Sequence, residues 1–144
     1  GARRLSYQSM RIIDFLRQQL ITLLAFLKAH ALLCSLAVLV AITVLSLTPL
    51  PKLPEVPGTD KLHHFIAYAA LIFPVAFAQL RQRIWLGFGF FVWSGAIELI
   101  QPMVNRYGEW LDLAANGLGL LLGYAVAVLF RRWRVLNFPQ HTED

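Results

Sequence analysis

The sequence predicts an all-α integral membrane protein: four transmembrane helices behind an N-terminal amphipathic, interfacial helix, with both termini cytoplasmic. Three observations carry this. The 144 residues are 58% hydrophobic and 15% charged, with a mean hydropathy of +0.59, which leaves too few polar side chains to cover a water-soluble surface. Several apolar runs reach bilayer-crossing length. Ten of the thirteen basic residues fall on one side of those runs, the asymmetry that sets topology.

Taken in order, residues 1–9 read as a disordered basic arm or a vector-derived remnant and are kept out of the fold. In residues 10–28, Ile12, Ile13, Phe15, Leu16, Leu20, Leu23, Leu24 and Leu27 recur at helical spacing. Asp14, Arg17, Gln18 and Lys28 interrupt them, so the segment is an amphipathic helix in the interface or an extension of the first span. Residues 29–130 hold the four-span domain. The first span, 29–47, carries no formal charge and stops before Pro49 and Pro51, since proline cannot extend a helix. The proline-rich loop continues to Thr59.

Thr59 or Asp60 caps the second span, 61–80, which Pro74 should bend. Arg81-Gln82-Arg83 is a turn short enough to demand an antiparallel neighbour. The third span, 84–100, ends before Pro102. The fourth, 110–130, is followed by a basic-then-polar cytoplasmic tail, 131–144. Arg3, Arg4, Arg11, Arg17, Lys28, Arg81, Arg83, Arg131, Arg132 and Arg134 then lie inside, with Lys52, Lys61 and Arg106 outside.

The net charge of +5 and pI near 9.9 do not point to nucleic acid, because the cations flank apolar spans, where anionic headgroups lie. Cys34 is the single cysteine, so no disulfide framework or cysteine-based zinc site is expected.

Polar chemistry concentrates on the outward side. Glu98 sits inside an apolar helix, where a carboxylate is costly unless it faces protein, water or a partner charge. On the second span Asp60, His64 and Tyr68 are spaced i, i+4, i+8, with Lys61 close to the same face. On the third, Gly87, Ser94, Gly95, Glu98 and Gln101 share a stripe. On the fourth, Asp112, Asn116, Gly119 and Gly123 share another. Below the polar residues the small ones allow close helix approach. Three polar faces therefore aim at one outward place.

Each residue also has a plainer role. Gly119 and Gly123 serve packing, Asn116 can bond a neighbouring helix, Asp60 can act only as a cap, and Tyr68 can pack with its hydroxyl satisfied. His63 faces away, and Trp85, Trp93 and Trp110 suit the interfacial belts. Asp60, Glu98 and Asp112 balanced against Lys61 and Arg106 would make a structural ion-pair network.

The run Thr59-Asp60-Lys61-Leu62-His63-His64-Phe65-Ile66-Ala67-Tyr68, then Gly95-x-x-Glu98-x-x-Gln101, Arg106, and Asp112-x-x-x-Asn116-x-x-Gly119-x-x-x-Gly123 resembles the VanZ-like family. The likeness covers about residues 46–124. It implies a multi-pass protein of the bacterial cytoplasmic (inner) membrane, a role in the cell envelope, and a link to resistance to the glycopeptide teicoplanin. The positions it carries over are Asp60, Lys61, His64, Tyr68, Glu98, Gln101, Arg106, Asp112 and Asn116. It supplies no reaction.

Three functional classes follow. An outward pocket with Lys61, Arg106 and His64 would bind membrane lipid or a lipid-linked wall precursor through its anionic group. An intramembrane enzyme would use His64 beside Asp60 as a general base and Glu98 as the acid. A structural or partner-binding subunit, as monomer or homo-oligomer, would use the cluster only for packing. No cofactor is expected, and no metal, because one histidine among carboxylates and basic neighbours suits zinc poorly.

Overall fold

The computed structural model describes residues 1–48, 59–104 and 110–137. All the regular structure there is helical: α1 (Ala2–Ala29), α2 (Ala31–Leu47), α3 (Thr59–Phe77), α4 (Arg83–Ile100), a 3-10 turn (Gln101–Val104) and α5 (Trp110–Asn137). Neither proline nor glycine occurs between Ala2 and Ala29, and α1 accordingly runs unbroken from Ala2. This corrects the expectation of a disordered arm over 1–9. It also decides against a straight extension of the first span, because α1 and α2 meet at 89°. The break falls at His30, whose ring packs on Phe26 with centroids 4.8 Å apart.

α2 ends where Thr48 turns extended (ψ 124°), the conformation demanded of a residue before proline. α3 continues through Pro74 as one helix. One turn before that proline the Leu71 carbonyl accepts the Ser35 hydroxyl of α2 at 2.8 Å, a buried bond that ties the two helices. α3 closes with the Leu80 amide on the Val75 carbonyl and the Gln79 amide on that of Ala76, both 3.2 Å. Gln79 takes φ +54°. This is a Schellman ending with glutamine where glycine is usual. At the other extreme α5 runs on through Arg131–Arg134 to Asn137, so the start of the expected tail is about two further turns of helix. No breaker occurs before Pro139.

Gly119 meets Phe65 and Gly123 meets Ala69, so α3 and α5 run parallel, and among the described residues this pair has the most extensive contact. Its seam is Gly119 and Gly123. A β-carbon on Gly119 would run into the Phe65 carbonyl, and one on Gly123 into that of Ala69. Backbone approach of this kind brings Cα–H groups against carbonyl oxygens and gathers dispersion contacts, which is what joins helices where lipid gives no hydrophobic preference. α2 and α4 pack around the pair over Tyr68, Leu71, Ile72, Val75, Phe90, Ile97 and Leu120. α1 docks by its last turns only, with Leu24 set against Ala76, Phe77 and Ala127.

α4 with its 3-10 turn and α5 are each long and apolar enough to cross a membrane, and α1 with α2 makes a third if the bent pair is one span. The distribution of side chains is the reverse of a soluble bundle. Leu33, Val44, Leu45, Val92, Leu99, Leu121 and Leu129 are exposed, whereas Ser35, Ser94, Gln101, Asp112 and Asn116 are buried. Stability here comes from close packing and satisfied hydrogen bonds rather than from apolar burial.

Candidate functional site

One end of the bundle is formed by the N-terminal turns of α3 and α5 and the C-terminal turn of α4. Asp60 and Asp112 occupy the first turns of α3 and α5, where the positive end of the helix dipole favours a carboxylate. Glu98 stands in the last turn of α4, at the negative end, where the dipole opposes it. The fold therefore explains two of the three carboxylates locally and leaves Glu98 to its cross-helix neighbours.

Those neighbours converge. The parallel seam sets His64 of α3 level with Asn116 of α5, and His64 Nδ1 lies 3.0 Å from the Asn116 Oδ1. An amide oxygen can only accept, so Nδ1–H is the donor and Nε2 is directed onward. Nε2 faces Asp112 Oδ2 at 4.0 Å. The Lys61 ammonium reaches the other oxygen of Asp112, Oδ1, at 3.9 Å and Asp60 Oδ2 at 3.5 Å. One donor atom each from His64, Glu98 and Asp112 lies within 4.8 Å of the other two. Asp112 is 5% and Asn116 1% exposed, so these contacts act with little screening by water.

Tyr68 is fully buried, and its hydroxyl lies beside Ser94 and Glu98. Gln101 takes a different position. Its amide donates to the Ser46 carbonyl at 3.2 Å, tying the end of α4 to the end of α2, and its buried Oε1 has no hydrogen-bond partner among the described residues. Arg106 lies outside the described residues. Asp60, Lys61, His64, Tyr68, Glu98, Asp112 and Asn116 are thus gathered at one end, with Gln101 at its edge.

Two corrections follow for the sequence-based picture. Asp60 was expected to orient His64 as its neighbour at i+4, yet Asp60 faces Lys61, and Asp112 of α5 meets the imidazole. α2 was not assigned to the site, yet the backbone carbonyl of Ser46 holds Gln101 at its edge. A main-chain acceptor leaves no signal in the residue type, so no hint of it stands in the sequence. Trp93 also bonds α2, donating to Thr43 Oγ1 at 2.9 Å, so it is a helix tie as well as a belt residue.

Chemically the cluster holds an ammonium that can meet an anion, an imidazole fixed by one nitrogen, and carboxylates that can accept from hydroxyl or amine groups. Comparison with known proteins places no relative beside it: no protein family, curated protein or solved structure matches the chain.

Proposed function

We propose that the chain is a VanZ-like protein of the bacterial cytoplasmic membrane, whose outward polar site binds or handles an amphiphilic lipid or cell-wall component. In this reading α2, α3, α4 and α5 cross the bilayer in alternation. α1 lies in the cytoplasmic interface, and both termini are cytoplasmic. The right-angled turn into α2 and the arginines gathered at the end opposite the site support that orientation. Altered display of a surface lipid or wall precursor is then how the protein affects susceptibility to teicoplanin.

The observation that carries the proposal is the junction of Lys61, His64, Glu98, Asp112 and Asn116 from three helices inside an apolar-surfaced bundle. Ionisable groups at such a position are expensive to keep and in membrane proteins mark sites of function. An intramembrane enzyme is the second reading. It is favoured by one feature, an imidazole held at Nδ1 by Asn116 with Nε2 toward Asp112, the geometry of an oriented general base.

Native mass spectrometry after gentle membrane extraction tests the binding reading. Wild type should carry a lipid or lipid-linked precursor that the Lys61→Ala/Glu98→Gln variant loses while its melting temperature stays within a few degrees. Bare wild-type protein, or equal retention by the variant, would overturn it.

A further inference from the structure

We propose that His64, Glu98 and Asp112 form a binding site for one divalent transition-metal ion of the Zn²⁺ or Mn²⁺ class. Three helices each contribute one ligand, and the three donor atoms lie within 4.8 Å of one another. With metal–donor bonds near 2.1 Å in a tetrahedral arrangement, two ligands of one ion stand about 3.4 Å apart. His64 Nε2 and Asp112 Oδ2 stand 4.0 Å apart. The donors must therefore close by about 1.4 Å at most, which torsions of the Glu98 and Asp112 side chains can supply.

The imidazole supplies a second, independent observation. A histidine that ligates a metal through one nitrogen is held at the other by a hydrogen bond to an oxygen, which fixes the tautomer and aims the lone pair. Asn116 Oδ1 does this at Nδ1, at 3.0 Å and with Asn116 buried, so in the neutral imidazole Nε2 presents its lone pair toward the carboxylates. Lys61 approaches Asp112 from its other oxygen, which leaves Oδ2 oriented to His64. This spatial separation is what the sequence could not supply, and it answers the objection that basic neighbours exclude a metal.

The donor set decides the class of ion. One imidazole with two carboxylates is too rich in nitrogen for Ca²⁺ or Mg²⁺, which take oxygen alone, and lacks the sulfur that selects Cu⁺. Three protein ligands are also fewer than Zn²⁺ or Mn²⁺ accepts, so a position stays open for an exogenous oxygen. The inference deepens the proposed site, since such an ion is a partner for a phosphate or carboxylate headgroup. Metal binding by itself nevertheless requires no organic ligand.

The test uses the full chain, stripped with chelator and placed in phosphatidylcholine nanodiscs, titrated calorimetrically with zinc chloride and separately with manganese chloride. One equivalent per chain with a micromolar or tighter Kd is expected. His64→Gln and Glu98→Gln should each weaken it at least about 100-fold, and Asn116→Ala, which removes no ligand, about 10- to 100-fold. Asp14→Asn on α1 should leave it unchanged. Because a site variant can fail to fold, the wild type is also loaded with Mn²⁺ and examined by electron spin-echo spectroscopy, where histidine nitrogen coupling should appear. Absence of stoichiometric binding or of that coupling in wild type would overturn the inference, as would undiminished affinity in folded His64→Gln and Glu98→Gln. Lipid retention is scored separately in metal-free protein, so the metal inference can fail while the lipid reading stands, and the reverse.

Discussion

The two ends of the α3–α5 pair are both polar and differ in kind. At the arginine end every bond joins a guanidinium donor to a backbone carbonyl or a neutral side-chain oxygen. Arg131 Nη1 donates to the Ala76 carbonyl at 3.3 Å. With its amide oxygen turned inward, Gln79 sets that oxygen 2.9 to 3.1 Å from the guanidinium nitrogens of Arg131, a charge–dipole contact. Arg83 Nε donates to the Tyr124 hydroxyl at 2.8 Å and its Nη1 to the Leu80 carbonyl at 3.2 Å. These arginines add side-chain donors to two carbonyls around the end of α3, those of Ala76 and Leu80, and reach two side-chain oxygens, those of Gln79 and Tyr124. At the other end an imidazole and two carboxylates from three helices are brought together, with the Lys61 ammonium beside Asp112. Helix termination explains the two carbonyl contacts of the first arrangement, whereas in the second it explains Asp60 and Asp112 and not Glu98. A buried polar residue thus signals function when its type exceeds what its helix ends require, not merely because it is buried.

The glycine seam lies between the two ends, so breaking it tests whether they are parts of one pair. Gly119→Ala and Gly123→Ala each place a carbon against a backbone carbonyl that cannot rotate away. Each should destabilise the bundle by about 3 kcal/mol, the upper range for overpacking, and should separate His64 from Asn116. Gly89→Ala is the control, since a β-carbon there meets nothing within 4 Å and gains helix propensity. Thermal unfolding in detergent should show a large fall for the seam variants and none for Gly89→Ala. Equal melting of all three would mean that close approach of α3 and α5 is not what holds the fold.

A smaller effect sharpens the comparison of the ends directly. Asn116→Ala leaves the buried Nδ1–H of His64 without its acceptor and should cost about 2 kcal/mol. Tyr124→Phe removes one acceptor from Arg83, which keeps the Leu80 carbonyl, and should cost about 1 kcal/mol or less. The order matters more than the sizes. If Tyr124→Phe were the more damaging in the same unfolding assay, the histidine end would be the looser of the two, and its preorganised geometry would lose its support.

How much of this was legible in the sequence depends on the range of the interaction. Faces are local, so the stripe Asp112, Asn116, Gly119 and Gly123 follows from helical spacing alone, and all four residues are buried. Partners across helices are not local. The sequence offers Asp60 to His64 because they share a helix, whereas the geometry supplies Asp112 from a helix about fifty residues away. The bend at His30 was equally hidden. Lys28-Ala29-His30-Ala31 contains no breaker, and the direction of α1 is set by the docking of Leu24 on α3 and α5. The continuation of α5 past Phe130 was missed because arginines near a bilayer read as a span boundary, although the same residues are good helix formers that favour a C-terminal dipole.

The smallest prediction concerns Gln79, where backbone and side chain pull in opposite directions. A non-glycine residue at φ +54° carries a strain of roughly 1–2 kcal/mol, which Gln79→Gly removes. The same change removes the amide oxygen that the Arg131 guanidinium meets. Gln79 is exposed, so that charge-assisted bond is partly screened and worth about 1 kcal/mol. The two effects should cancel to within about 0.5 kcal/mol. Gln79→Ala keeps the strain and loses the bond, and should melt lower than Gln79→Gly. Equal melting temperatures for the two variants would show that the left-handed residue stores no strain. Wild type and Gln79→Gly melting together, above Gln79→Ala, would show that the amide contact with Arg131 offsets the backbone strain, which assigns the side chain of Gln79 a purely structural task.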